Sequence, residues 1–436
     1  MIKLLDQQAS TFADSLDKLC KVPSETSVDV RKVVQDILDD VRDRGDEAVL
    51  ELTNKFDRAD YKDIRELEIT KDVMSSAVQQ VDPLVINALR TSIERVEKYH
   101  LQQKEHLGAT ASWEYQDEEG NQLGQIVRAM ERVGVYVPGG KASYPSSVVM
   151  TVIPAKIAGV KEINLVVPAP GGEISQILLA SAHLCGVDRM FTIGGAQAIA
   201  AMAYGTDLIP RVDKIVGPGN IFVATAKAMV YGQVDIDMIA GPSEVVIVAD
   251  RSADPSWLVM DMFAQAEHDE LAQAILISTD QTLLEDVSQQ ISNLLPQMSR
   301  SEIISKSLSD RGALIRVYSD ADATELVNRI APEHLEIAVA DPQKILSGIQ
   351  HAGAIFVGNH SAEVIGDYSA GPSHVLPTGG TARFASPLGV YDFQVRSSVV
   401  QCSARGAVNL SRAAAILAEE EGLEAHSKSA SYRIQG

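Results

Sequence analysis

From residue 127 to residue 340, short apolar runs alternate with stretches of helical spacing, and most of the runs stop at proline or glycine. Val133-Gly-Val-Tyr-Val-Pro, Ile163-Asn-Leu-Val-Val-Pro, Arg189-Met-Phe-Thr-Ile-Gly-Gly and Lys214-Ile-Val-Gly-Pro-Gly-Asn read as strands. Helices over 148–160, 174–185, 197–204 and 221–231 follow them. The pattern resumes with Glu244-Val-Val-Ile-Val-Ala, Ala274-Ile-Leu-Ile-Ser, Ala313-Leu-Ile-Arg-Val and Leu335-Glu-Ile-Ala-Val. Helices over 283–295 and 321–330, and one opened by Asp254-Pro-Ser, lie between these strands. Runs that are apolar throughout belong in a parallel sheet covered on both faces, which crossover helices make doubly wound. Ligands bind such sheets at the carboxyl ends of the strands. Residues 1–108 read as helices, with the clearest periodicity over 28–55 and 83–100 and with His100 and His106 on the surface. After Pro387 comes a tail built on an Ala-rich helix, Leu410 to Glu421, which Gly422 stops.

Thirty-eight Lys and Arg against 59 Asp and Glu leave a formal charge of −21. An acidic surface repels phosphate backbones and anionic lipid, so neither nucleic acid nor a membrane is expected as a main partner. The three cysteines, Cys20, Cys185 and Cys402, are odd in number and form no CxxC pair. A reducing cytosol is expected, with Cys185 and Cys402 buried and structural. No signal peptide is readable, and the apolar stretch 147–160, interrupted by Lys156, is too short to span a bilayer.

Five constellations could carry chemistry. Gln265 and His268 are three apart on a predicted helix, so an amide oxygen and an imidazole share a face and could hold a metal; a polar helix end is the plainer alternative. Pro332 ends a helix and leaves Glu333 and His334 side by side at a loop-to-strand junction, two proton-transfer groups at one locus, or a surface pair. An unperturbed imidazole titrates near pKa 6.5, so a rate that depends on it should climb with pH through that range. Asp367 and His374 sit in a Gly/Pro-rich loop that has little packing reason to be polar. Glu421 and His426 could aim at one site because Gly422 interrupts their helix. Gly217-Pro-Gly-Asn220, Gly194-Gly-Ala-Gln197 and Tyr136-Val-Pro-Gly-Gly140 each offer glycine after a strand, where a phosphate or ring can approach the backbone. None completes GxGxxG, and no GxxxxGK[ST], HExxH or GxSxG occurs.

Taken together these segments, with Ala240-Gly-Pro-Ser-Glu, Gly366-Asp-Tyr and Glu421-Gly-Leu-Glu-Ala-His, resemble the histidinol dehydrogenase family along nearly the whole chain. The resemblance implies a zinc enzyme that oxidises L-histidinol to L-histidine with two NAD⁺, through an aldehyde that stays bound, in the cytoplasm. It matches Gln265, His268, Asp367 and His426 to metal ligands, and Glu333 and His334 to the catalytic pair. Ser243, Glu421 and His374 match substrate contacts, alongside the four ligands and the catalytic pair; Tyr136, Gln197 and Asn220 match NAD contacts. It also implies a homodimer whose tail, with Glu421 and His426, completes the partner's site. The expected fold is α/β: two incomplete Rossmann-like doubly wound units with a helical N-terminal segment (1–25) and a helical C-terminal tail (388–436). The first unit is expected over 26–132 plus 243–387, with most metal and catalytic residues, and the second over 133–242, with the NAD contacts. His360 and Ala362 stand where the family is expected to carry an aromatic residue and a proline. The competing readings are a same-fold dehydrogenase for another small alcohol, a zinc hydrolase without a redox cofactor, and a metal-dependent interaction protein.

Overall fold

A computed structural model describes residues 2–21, 28–106, 110–139 and 144–435. Gly140 of the Tyr136–Gly140 motif, the Lys141-Ala-Ser143 that follows it and residues 22–25 of the N-terminal segment lie outside the described residues. Two six-stranded sheets organise the chain. The first runs Glu68–Ile69, Arg189–Phe191, Glu162–Val166, Arg132–Tyr136, Lys214–Val216, Asp235–Ile236, parallel except for its first strand. The second runs Lys3–Asp6, Ala313–Arg316, Gln273–Ser278, Glu244–Ala249, His334–Ala338, Ala354–Val357 and is parallel throughout. All six residues of Glu244–Ala249 and of Gln273–Ser278 are buried, as strands covered on both faces must be.

Each sheet has an apolar cluster on either face. Helix Pro145–Ala158 and helix Gln176–Cys185 fill one side of the first sheet, and helices Gly195–Tyr204 and Ile221–Val230 the other. The helices of residues 28–106 belong to these same cores: Val34, Ile37, Leu38 and Val41 pack with Ile199 and Ile215, and Ile86, Leu89 and Ile93 with Val135 and Val152. Val375, Leu388, Val390 and Phe393 join them. In packing, these early helices lie with 133–242, while the grouping of 26–132 with 243–387 is what the resemblance implies. The apolar faces of the early helices match the 133–242 sheet, which they cover. The N-terminal segment, not wholly helical, gives strand Lys3–Asp6 and helix Phe12–Cys20 to the second sheet, where Leu16 and Leu19 are buried.

A third, antiparallel sheet of Trp113–Gln116, Gln122–Ala129 and Gln394–Gln401 carries the tail. Helix Ala404–Glu420 ends at Gly422 (φ +72°), and helix Glu424–Gln435 folds back as a hairpin. Leu410, Ile416, Leu417, Leu423 and Tyr432 remain exposed on it. Two smaller expectations change. His100 is buried, bonded through Nδ1 to the Val96 carbonyl at 2.9 Å, because it faces the inside of helix Pro83–His106. Cys402 is exposed, whereas Cys185 is buried. Among the described residues no helix is long and apolar enough to cross a membrane.

Candidate active site

In both sheets the chain order reverses beside a central strand, and the predicted residues gather near those two points. In the first sheet the reversal falls between Arg132–Tyr136 and Lys214–Val216, and the contacts lie at the carboxyl ends. The Tyr136 hydroxyl accepts from Gly195 N–H at 3.2 Å, at the start of the helix that carries Gln197. Both amide atoms of Gln197 are buried without a hydrogen-bond partner among the described residues. Gly217 has φ +113°, and a Cβ there would run into the Tyr136 carbonyl oxygen. Asn220 caps helix Ile221–Val230 by accepting from Phe222 and Val223 N–H, and the residue is exposed at the mouth. An orphaned amide beside a tyrosine and a close-packed glycine turn fits a polar cofactor that lays its length along the loops.

In the second sheet the site lies at the amino ends of the strands, opposite to the carboxyl-end rule. Helix Asp320–Ile330 stops at Ala331, held in the left-handed region (φ +54°), and Pro332 turns the chain so that the strand begins at His334. Glu244 opens the neighbouring strand, and its backbone serves both catalytic candidates. Its N–H donates to Glu333 Oε2 at 2.9 Å, and its carbonyl meets His334 Nδ1 at 3.0 Å. That bond makes Nδ1 the protonated nitrogen and leaves Nε2 free as a base. Nε2 is buried without a partner among the described residues, 3.8 Å from Asp367 Oδ1.

Gln265 ends helix Pro255–Ala266, and His268 follows in the turn rather than on the helix, yet the two still meet. With its amide nitrogen donating to both Glu363 oxygens (2.7 and 3.2 Å), Gln265 turns its oxygen toward His268 Nδ1, 3.5 Å away. Two lone-pair donors facing one another at that separation suit a cation between them. Asp367 lies on a π-helical turn, a geometry frequent at functional sites. Its carbonyl meets His374 Nδ1 at 3.0 Å. Segment 367–371 is anchored on helix Pro83–His106, through Ser92 Oγ to Tyr368 O and Arg95 to Ala370 O, so the site sits where the two units meet. The structure brings together Gln265, His268, Glu333, His334, Asp367 and His374, and Ser243 directly precedes Glu244 in the chain. Glu421 and His426 are exposed on the tail hairpin and make no hydrogen bond or ion pair to this cluster among the described residues.

Sequence reasoning missed Glu363. Its Oε1 lies 3.5 Å from His334 Nδ1, and His334, Glu363 and Asp367 offer ligand atoms within 4.8 Å of one another. The signal available was a carboxylate four residues before Asp367, on the same face of a helical turn.

Burial dominates the electrostatics. It raises Glu333 and Glu363 well above the carboxylate range, and neighbouring carboxyls add to both shifts. It raises Asp367 to about 6, and Glu336, beside Asp261, to about 8. It lowers His374 to about 4 and His334 to about 3. Burial thus favours the neutral imidazole and shifts His334 below the ordinary 6.5 on which the expected climb in rate rests. So many carboxyls, mutually repelled and short of counter-charge, together with the orphaned Nε2, fit a divalent cation.

The chain resembles known proteins along nearly its full length. The histidinol dehydrogenase family model matches residues 20–434. The histidinol dehydrogenase of Pseudomonas syringae pv. tomato is 54% identical over 433 residues, 99% of this chain and 96% of the relative. That of Hydrogenovibrio crunogenus is 51% identical over 434 residues, 100% of this chain and 99% of the relative. The crystal structure of histidinol dehydrogenase from Elizabethkingia anophelis superposes with a TM-score of 0.92 at 33% identity, covering 100% of this chain and 98% of that one. On these matches the chain belongs to the histidinol dehydrogenase family.

Proposed function

We propose that this protein, an oxidoreductase of histidine biosynthesis by its family, oxidises L-histidinol to L-histidine in two hydride transfers to NAD⁺ in the cytoplasm. The observation that carries the reading is the meeting of the Gln265–His268–Asp367 donors with the Glu333–His334 pair. Gln265, His268 and Asp367 would hold Zn²⁺, with His426 of a second subunit as the fourth ligand. Bound there, the ion would supply a fixed point for the amine and imidazole nitrogens of histidinol and so orient its carbinol carbon. Bound along Tyr136, Gln197 and Asn220, NAD⁺ would supply the hydride acceptor in each half-reaction.

The residues of the chain do the rest. His334 Nε2, neutral and unpartnered, takes the hydroxyl proton as hydride leaves carbon. Its Nδ1–H stays on the Glu244 carbonyl, which holds the ring in the tautomer needed. The bound aldehyde then needs water. Glu333, fixed by the Glu244 N–H, removes a proton from that water as it adds to the carbonyl carbon, and the His334 imidazolium gives its proton to the carbonyl oxygen, which completes the hydrate and returns His334 to the neutral form. His334 takes the proton of the resulting hydrate as the second hydride leaves. Ser243, His374 and Glu421 line the substrate.

The exposed Leu410, Ile416, Leu417 and Tyr432 on the tail fit a homodimer in which the hairpin crosses to the partner and brings Glu421 and His426 to its site. The division of labour we propose is one unit of 28–242 for the dinucleotide and one of 243–374 with 2–21 for metal and proton transfer. The test is to count NADH formed per L-histidinol consumed, with and without a chelator. Two NADH per histidinol and loss of turnover on chelation are expected. One NADH, or indifference to the chelator, would overturn the proposal.

A further inference from the structure

Lys227 and Asp237 form an ion pair that none of the steps above uses. Both side chains are almost wholly buried, 2% and 1% exposed. The Lys227 chain runs back along helix Ile221–Val230 toward its amino end, where Nζ donates to the Gly217 carbonyl at 2.9 Å. Asp237, just past the edge strand Asp235–Ile236, accepts from Gly217 N–H at 2.7 Å and from Met238 N–H at 2.6 Å. The glycine is therefore gripped through both of its peptide groups. It is also the residue whose positive φ presses the loop against the Tyr136 carbonyl, three positions before Asn220.

Stability does not account for this arrangement. Taking an ammonium and a carboxylate out of water is costly, and apolar side chains of similar volume in place of a buried pair are often neutral or stabilising. What the pair determines is the direction of two peptide planes in one loop. Asp237 also begins the segment that leaves the first sheet for the second. That segment is pinned at Gly241 N–H by Thr378 Oγ1 (2.6 Å) and arrives at Glu244, whose backbone holds Glu333 and His334. We propose that Lys227 and Asp237 are a positioning pair for the dinucleotide subsite. They hold the Gly217–Asn220 loop against Tyr136 and fix its placement relative to the catalytic strand. The proposal rests on the reading of Tyr136, Gln197 and Asn220 as the dinucleotide contacts.

The test is fluorescence titration with NADH, beside separate KM values for NAD⁺ and histidinol, on the unaltered holoenzyme, Asp237→Asn and the double variant Lys227→Met/Asp237→Leu. Asp237→Asn keeps the shape and an acceptor for Gly217 but loses the charge that holds Lys227. The double variant removes both charges, so no unpaired charge is left inside. The expected result is that NADH Kd and the KM for NAD⁺ rise about tenfold or more in the double variant, a displacement-sized loss. Asp237→Asn should lose less, and the KM for histidinol should stay within about twofold of the unaltered value in both. A folded double variant that binds NADH as the unaltered protein does overturns the pairing role and leaves the dinucleotide reading intact. Equal rises in both KM values, in step with a lower melting temperature, overturn it as well, because they mark a merely structural pair. An unaltered holoenzyme that binds no NADH overturns the dinucleotide reading, and the pairing role falls with it.

Discussion

On the proposed division of labour, replacing Glu333 by Gln is expected to separate the two oxidations, by the factor a positioned base supplies. Glu333 Oε2 accepts from Glu244 N–H at 2.9 Å, in a buried setting. Glutamine offers a carbonyl oxygen at the same place, so that N–H stays paired and the Glu244 carbonyl keeps its hold on His334. The amide cannot take a proton from water. Loss of a positioned base slows its step by roughly 10²–10⁴-fold, which is about 3–5 kcal/mol of barrier. Alanine would lose the same base and also strand a buried N–H, costing about 1–3 kcal/mol of stability and blurring the result.

Glu333→Gln has a second, opposite-signed effect on stability. Burial, with Glu244 and Asp367 adding, raises the Glu333 carboxyl in the folded state. Without a bound cation the folded chain therefore keeps a proton that the unfolded chain releases above about pH 4.3, whereas a divalent cation beside Glu333 would favour the carboxylate that the water step uses. Stability linked to that proton is full at low pH and is lost as pH climbs toward the folded value; the amide has no such loss. Relative to the unaltered protein, Glu333→Gln should gain in melting temperature between pH 5 and pH 8. The assay is stopped-flow NADH formation from L-histidinol and, separately, from L-histidinal. A near-normal first NADH and a strongly slowed second one are expected, with a variant at least as stable at pH 8. Equal slowing of both half-reactions in a fully folded variant would refute the assignment of water activation to Glu333.

His334→Asn should depress both half-reactions alike, since one imidazole serves each; sparing either one in separate histidinol and histidinal assays would contradict this. Burial lowers His334 to about 3, so the base is neutral from pH 5 to pH 9, and any rise in the single-turnover rate over that range should persist with the pH profile of other groups. An inflection that deuterium-exchange NMR assigns to the His334 ring near 6.5 would be the contrary result. Glu363→Ala removes the acceptor that orients the Gln265 amide, and retained metal after dialysis should fall about 10–100-fold in affinity, as when a supporting residue behind a metal ligand is lost; unchanged affinity by chelator competition would refute it. Mixing His426→Ala chains with His268→Ala chains should restore activity that neither has alone, because one hybrid site then keeps every ligand; no recovery in refolded mixtures would count against a tail shared between subunits.

The sequence showed the strands of both sheets because they are buried on both faces and so need no alternation to be seen. It also showed the Asp254 cap, whose side chain accepts from Ser256 N–H, and the chain break at Pro332. It did not show the hairpin 113–129, whose Trp113–Gln116 strand is exposed along its length and has only the two stacked rings of Trp113 and Tyr115 on its apolar face, too short an alternation to announce it. Nor did it show which sheet the helices of 28–106 would cover, since an amphipathic face says that something is buried and not what buries it. For the candidate site the limit is register. Val245 pairs with His334 across the two parallel strands, so the residue just before Val245 presents its N–H to Glu333 and its carbonyl to the imidazole. A slip of one residue would turn His334 to the other face and leave Nε2 pointing away from Asp367. The spacing 333–334 names the pair; the pairing of strands 90 positions apart is what sets the His334 imidazole on the Glu244 carbonyl and the Glu333 carboxyl on the Glu244 N–H.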